Sequence, residues 1–196
     1  MWRTLVRWLF EGILAVFFRL RIEGREHLPL RGPALIIANH ISYLDGFLIG
    51  KATPRYIRFL LWKPIYDIAV MQPFFRMWEL IPIHSEKPRQ ALESLKMARA
   101  EIEKGELVGI FPEGSITRNG EMDDFRRGYE RIIEGTGAPV IPVRLEGMWG
   151  HPLSMKGGKL FACWERFWRP EVRVTIGAPL EGVPTTEELE AAVRRL

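Results

Sequence analysis

The amino-acid sequence predicts an α/β fold, a single domain with a mostly parallel or mixed central sheet flanked by helices and preceded by an N-terminal amphipathic helix. Three observations lead to this prediction. The chain has 196 residues, which corresponds to one domain of ordinary size. Hydrophobic residues make up 47% of it and charged residues 27%, as in globular proteins. Short apolar runs alternate with segments of helical periodicity, and this alternation is typical of α/β domains.

Residues 1–21 predict the amphipathic helix. Apolar residues recur there at helical spacing, at Leu5, Trp8, Leu9, Ile13, Val16, Phe17 and Leu20. Four charged residues interrupt the run, so that it lacks the roughly 20 apolar residues of a membrane-spanning helix. Two interpretations stay open: a helix buried against the domain, or a helix in the membrane interface, with aromatic side chains among the lipid headgroups. We favour the second, and residues 156–169, which interleave aromatic and basic side chains, predict a second membrane contact.

The remaining elements are predicted from apolar runs and from helix start and stop signals. Strands are predicted at 35–38, 56–61, 80–83, 107–111, 140–145 and 172–176, and helices at 44–52, 88–104, 128–134 and 184–196. The clearest helix begins at Pro88 and ends before Gly105. The C-terminal helix has acids in its first turn and arginines in its last, which suits the helix dipole. In such sheets the chemistry lies at the carboxyl ends of strands, and polar residues follow the strands that end at 38 and 111.

The segment after the first of these strands contains a candidate acid–base pair. His40 lies just beyond the strand, and Asp45 follows five residues later, a spacing that places the two on different faces of a continuous helix or strand. A turn followed by the start of a helix would bring Asp45 back to the imidazole. Asp45 would then fix the tautomer of His40, leaving its other ring nitrogen as a general base for a substrate hydroxyl. Ser42 and Asp45 are also spaced as in a helix cap, which is the structural alternative.

The segment after the strand at 107–111 contains a second candidate. Pro112 and Gly114 predict a tight turn that holds Glu113 at the strand end, where its carboxylate would bind the hydroxyls of a polyol. Arg118 follows in the loop, and its guanidinium suits a phosphate. The alternative is a solvated turn with a surface ion pair.

Three ordered motifs resemble the glycerolipid acyltransferase family, which includes the lysophosphatidic acid acyltransferases. They are Asn39-His40 with Asp45 five residues after the histidine, Phe-Pro-Glu-Gly at 111–114 and Val-Ile-Pro-Val at 140–143. The resemblance covers about residues 22–180 and implies an acyltransferase domain at 22–196. It implies that His40 deprotonates an acceptor hydroxyl, that Asp45 orients and charge-stabilises His40, and that the hydroxyl oxygen attacks an acyl thioester directly.

The resemblance also implies the partners of the reaction. The co-substrate would be an acyl-CoA or acyl-carrier-protein thioester, with no bound cofactor and no metal, and the protein would be peripheral on the cytoplasmic face of a membrane, in contact with its lipids. Candidate substrate-binding residues are Asn39, Ser42, Lys63, Phe111, Pro112, Glu113, Gly114 and Arg118. The single cysteine, Cys163, excludes a disulfide framework and a cysteine metal cluster. The net charge of +4 is modest and spread along the chain, which argues against nucleic-acid binding.

One departure from the family bears on the acceptor. Members that form phosphatidic acid usually carry an arginine after a strand between the two main motifs, and this sequence has His84 there. Segments 111–122 and 141–147 are more similar to bacterial 2-acylglycerophosphoethanolamine acyltransferases. We therefore expect re-acylation of a lysophospholipid of that type, with 1-acylglycerol 3-phosphate (lysophosphatidic acid) as the alternative acceptor. A non-catalytic membrane-binding module is the alternative of a different class.

Overall fold

A single sheet organises the fold in the computed structural model, which describes residues 2–84 and 87–196. The strands are β1 Arg19–Glu23, β2 Ala34–Ala38, β3 Ile57–Trp62, β4 Ile81–Ile83, β5 Leu107–Ile110, β6 Val140–Glu146 and β7 Glu171–Ile176. The helices are α1 Trp2–Phe17, α2 Asp45–Gly50, α3 Lys63–Tyr66, α4 Gln72–Met77, α5 Pro88–Glu103, α6 Glu130–Ile133 and α7 Thr186–Arg195. Within the described residues the seven strands lie in the order β1-β7-β6-β2-β5-β3-β4. Only the β6–β7 pair is antiparallel, and the predicted α/β class is therefore confirmed.

Strand β2 lies at the centre of the sheet and is buried along its whole length. Its side chains alternate between two cores, as the pleat of a strand requires. Ala34, Ile36 and Ala38 pack with residues of α1 and α2, whereas Leu35 and Ile37 pack with α5, α6 and α7. Burial on both faces explains why β2 is a continuous apolar run. Its carboxyl end, at Ala38, is consequently fixed from both sides.

The N-terminal segment differs from the single helix predicted over residues 1–21. Helix α1 ends at Phe17, and Arg19–Glu23 form an edge strand that pairs in parallel with β7. The helical spacing of Leu20 is overridden by this long-range pairing. Two short helices, α3 and α4, were not predicted, and each has a proline in its first turn, where a missing N–H costs nothing.

Helix α1 is oriented with its apolar face outward. Leu5, Trp8, Leu9, Ile13 and Val16 are between 47% and 69% exposed. No helix among residues 2–84 and 87–196 combines the length and the apolar character that crossing a bilayer requires.

The inward face of α1 carries Arg7, which is buried. Its guanidinium donates to the carbonyl oxygens of Thr53 at 2.6 Å and Pro54 at 2.7 Å, and also reaches those of Gly50 and Arg55. Arg7 thus binds free carbonyl groups at and beyond the C-terminus of α2, where a cation is favourable.

Candidate active site

His40 and Asp45 meet at the carboxyl end of β2. The chain turns after Asn39, and α2 begins at Asp45, so the carboxylate returns to the imidazole as the turn argument predicts. His40 Nδ1 lies 2.9 Å from Asp45 Oδ2. With Nδ1 donating to the carboxylate, the other ring nitrogen, Nε2, is left to accept a proton. His40 lines an apolar cavity, and it is therefore accessible to a substrate.

The carboxylate of Asp45 is fully buried and fully hydrogen-bonded. Its Oδ2 also accepts the backbone N–H groups of Ile41 at 2.6 Å and Ser42 at 2.8 Å, and its Oδ1 accepts the Ser42 hydroxyl at 2.5 Å. A buried charge is tolerated only with such partners. Ser42, itself buried, orients Asp45 through these bonds. The alternative of a Ser42 helix cap is not formed, because the N-cap of α2 is Leu44 and no side chain caps that helix.

Phe111, from the end of β5, stacks on the imidazole. The centroids of the His40 and Phe111 rings are 4.1 Å apart, and the ring planes differ by 9°. Phe111 is predicted as a substrate-binding residue, and in the structure its ring lies against the candidate base.

Glu113 turns inward behind His40. Its Oε1 accepts the backbone N–H of His40 at 2.7 Å, and its Oε2 accepts the N–H of Asp123 at 3.0 Å. Burial raises the pKa of Glu113 to about 7, against the opposing effect of these two N–H donors. Thr117 N–H donates to the His40 carbonyl at 2.9 Å, so residues of the 111–118 loop hold both backbone groups of the histidine. The oxygens predicted to bind a polyol are thus bonded to the backbone.

Three other predicted residues shape the loops. The Asn39 side chain donates to Leu145 O at 2.9 Å and accepts Leu145 N–H at 2.7 Å, which ties β2 to β6 beyond the regular ladder. Pro112 is buried, and its carbonyl accepts the backbone N–H of Arg126. Gly114 has φ of 76° and makes the predicted tight turn.

Lys63 is not brought to His40. It begins α3, and its ammonium pairs with the carboxylate of Asp67 at 2.5 Å. Of its neighbours, Trp62 and Ile65 lie in the cavity wall.

The cavity beside His40 has a volume of about 610 Å³. This is within the usual range for a small-molecule site. Apolar side chains from α2, β3 and the segment between α4 and β4 form much of its wall: Phe47, Ile57, Phe59, Leu61, Trp78 and Leu80. Such a wall suits a hydrocarbon chain.

Arginine side chains lie at the mouth of the cavity. Arg118, as predicted, and Arg126 both line it. Arg126 was missed, because in sequence it follows acidic residues and resembles part of a solvated face. Its guanidinium carbon lies 3.0 Å from the position that a Cβ on Gly114 would take. Within residues 2–84 and 87–196, neither arginine has a carboxylate within 4.0 Å, whereas Arg127 pairs with Glu130 at 2.8 Å.

No group of three or more His, Cys, Asp or Glu side chains in the described part of the chain is arranged to hold a metal ion.

His84 directly follows β4 and is half-buried. Ser85 and Glu86, in the stretch where the family arginine was sought, lie outside the described residues.

Comparison with known proteins adds the family context. Residues 19–146 match the family model described as Acyltransferase. The chain is 31% identical over 132 residues to a chloroplastic 1-acyl-sn-glycerol-3-phosphate acyltransferase of Brassica napus, covering 67% of this chain and 38% of that protein. It is 26% identical over 190 residues to the 1-acyl-sn-glycerol-3-phosphate acyltransferase of Bacillus subtilis, covering 94% of this chain and 87% of the relative.

A solved structure supports the fold. The crystal structure of the 1-acyl-sn-glycerophosphate acyltransferase of Thermotoga maritima superposes with a TM-score of 0.75 at 21% identity. The match covers 98% of this chain and 77% of that one. The chain thus spans most of the two bacterial proteins but about 38% of the length of the Brassica protein.

Proposed function

The chain belongs to the Acyltransferase family, and on this premise we propose that it acylates the free hydroxyl of 1-acyl-sn-glycerol 3-phosphate to form phosphatidic acid. The sequence alone favours a lysophosphatidylethanolamine-type acceptor, with lysophosphatidic acid as the alternative. The names of the similar proteins and the chemistry at the cavity mouth support the alternative better than the first choice.

The observation that carries the proposal is that Arg118 and Arg126 line the same cavity as His40. A phosphomonoester bears close to two negative charges at neutral pH, and guanidinium groups bind such oxygens bidentately. The phosphodiester of a lysophosphatidylethanolamine bears one negative charge and an ammonium, which two arginines repel. Two cations without carboxylate partners in the described chain therefore match lysophosphatidic acid.

The reaction follows from the geometry of His40 and Asp45. Nε2 of His40 takes the proton of the acceptor hydroxyl, while the hydroxyl oxygen attacks the thioester carbonyl. The imidazolium that forms is stabilised by Asp45 at 2.9 Å. The tetrahedral intermediate then expels the thiolate, which receives the proton from His40, and an ester replaces the thioester. Acyl-CoA or an acyl-carrier-protein thioester fits the donor role, with a fatty acyl chain in the apolar cavity.

The outer surface supports a peripheral position on a membrane, and we take the cytoplasmic face from the family resemblance alone. The apolar face of α1 is continued by an aromatic patch, which we define as Phe161, Trp164, Phe167 and Trp168. Phe17 and Trp168 join the two, with ring centroids 5.5 Å apart. Exposed aromatic and aliphatic side chains on one surface are typical of proteins that insert into the lipid interface.

The acceptor is tested with purified protein, a labelled acyl thioester, and lysophosphatidic acid or lysophosphatidylethanolamine. We expect the native chain to form product with lysophosphatidic acid and the His40→Ala variant to form none. In Arg118→Ala and Arg126→Ala the KM for lysophosphatidic acid should rise by about 10-fold or more, since each variant loses a charge-assisted contact. Arg127→Ala is the matched control. Preference for lysophosphatidylethanolamine, or equal effects of Arg126→Ala and Arg127→Ala, would contradict the proposal.

Membrane binding is tested by sedimentation with vesicles that contain phosphatidylglycerol. Leu9→Glu should lower the bound fraction strongly, because the charge must leave water on insertion. Met97→Glu, at an exposed position of α5, is the control and should bind as the native chain does. If both variants bind equally well, α1 is not the contact.

A further inference from the structure

Three aromatic rings form a stack that ends at His40. Phe111 lies 4.1 Å from His40, and on the Phe111 ring in turn lies Phe59, with centroids 5.2 Å apart and planes inclined by 13°. Aromatic rings at such distances attract each other beyond simple burial. The stack connects the middle of β3, the residue that follows β5 and the turn after β2.

Phe59 is held in a slot between two glycines. In the sheet it is paired with Gly109, and a Cβ at Gly109 would lie 2.3 Å from the Phe59 ring. A Cβ at Gly46, the residue after Asp45, would lie 3.1 Å from the same ring. The absence of side chains at both positions lets the ring lie flat between β5 and α2, and Phe59 is only 5% exposed.

The stack matters because one hydrogen bond does not fix an imidazole. The bond from Nδ1 to Asp45 fixes one edge of the ring, whereas rotation about the second side-chain torsion of histidine is intrinsically broad. A parallel ring at 4.1 Å restricts that rotation. The face of Phe111 also attracts the positive charge that His40 acquires during proton transfer.

We propose that Phe59 is a positioning residue for acyl transfer, which acts on His40 through Phe111 and whose own position depends on Gly109 and Gly46. This inference rests on the proposed acyl transfer. It adds residues beyond the His40–Asp45 pair and the two arginines of the cavity.

The kinetic test is a double-mutant cycle of Phe59→Leu and Phe111→Leu. Phe59→Leu should lower kcat by about 10-fold, in keeping with the sensitivity of proton transfer to small misplacements, and leave KM for the acceptor within about twofold. In the Phe111→Leu background, Phe59→Leu should lower kcat little further, because the Phe111 ring through which Phe59 acts on His40 is already gone. Gly109→Ala, which displaces the ring, should resemble Phe59→Leu.

Phe75→Leu is the matched control, since Phe75 is also 5% exposed but packs on Tyr66. It should lose a similar amount of stability and keep kcat. Additive losses in the cycle, or an equal kcat loss in Phe75→Leu, would show that Phe59 is merely structural. Because Phe59 also lines the cavity, a changed preference for acyl-chain length at unchanged kcat would likewise overturn the inference.

A readout without turnover separates this inference from the proposed function. The imidazole proton signals of His40, assigned with His40→Gln, should shift in Phe59→Leu and not in Phe75→Leu, because the neighbouring ring currents change. Absence of product from the native chain with every acceptor would contradict the acyl transfer. Unchanged His40 signals in Phe59→Leu would contradict the stack as the means of positioning.

Discussion

The substitution Asp45→Asn removes one charge from the site and leaves its hydrogen bonds in place. Oδ2 accepts three donors, from His40 Nδ1 and the N–H groups of Ile41 and Ser42, whereas Oδ1 accepts only the Ser42 hydroxyl. An asparagine with its carbonyl oxygen at the Oδ2 position keeps all three. Its NH2 group then faces the Ser42 hydroxyl, which can turn to accept. The variant should therefore retain the turn and the tautomer of His40.

The loss of the charge should be felt in the transition state. His40 is neutral before proton transfer and cationic during it, so the attraction to Asp45 contributes differentially. The nearest atoms are 2.9 Å apart, and both charges are delocalised. Taking about 4 Å between charge centres and an effective dielectric constant of about 20 gives about 4 kcal/mol. This corresponds to a loss of about 10³-fold in kcat/KM.

The assay is acyl transfer from a labelled thioester at saturating donor, with thermal unfolding followed in parallel. The melting temperature should change by no more than about 4 °C, which is about 1 kcal/mol for a domain of this size. Asp67→Asn, which removes an exposed carboxylate, is the control and should keep full activity. A loss below about 10-fold with an intact fold would refute the electrostatic role of Asp45. Unfolding of Asp45→Asn would refute the hydrogen-bond argument.

Two further predictions concern stability. The pKa of Glu113 is about 7 in the folded chain and 4.5 when unfolded, so the folded state holds the extra proton between these values and unfolding free energy falls as pH rises. Between pH 6 and 8 the free energy of unfolding should fall by about 1.4 kcal/mol, and Glu113→Gln should remove this fall in urea titrations at both pH values. If the variant shows the same dependence of unfolding free energy on pH, the burial argument is contradicted. Asn39→Ala should lower the free energy of unfolding by about 2–4 kcal/mol in the same titration, because it leaves both backbone groups of Leu145 unpaired. The control Asn119→Ala, at an exposed position, should lower it by less than about 1 kcal/mol. Similar losses in the two variants would contradict the role of Asn39.

Local sequence patterns predict those parts of the fold and site that depend on nearby residues. Apolar runs locate the central strands within a residue or two, and the turn argument brings Asp45 to His40. Strand β1 is missed because it lies at the sheet edge, with Leu20 and Ile22 as its apolar residues, and only its partner β7 makes it a strand.

The missed functional residues depend on distant parts of the chain. Arg126 follows two acidic residues and reads as surface, and its place at the cavity follows from the bond between its N–H and Pro112 O. Phe59 reads as an ordinary buried residue of a strand. Its contact with the stack follows from the sheet register that sets it opposite Gly109, which no local pattern encodes.

The contact of Arg7 with the end of α2 means that deleting α1 is an unsuitable way to obtain a soluble form of this protein. Gly50 and Arg55, whose carbonyls Arg7 binds, also lie in the cavity wall. Truncating α1 would thus remove donors from buried carbonyls and open the cavity wall, in addition to removing the proposed membrane contact. A shortened, inactive protein would be uninformative about lipid contact. Polar replacements confined to the outward side of α1 keep the hydrogen bonds of Arg7 and therefore change the proposed membrane contact without opening the cavity wall.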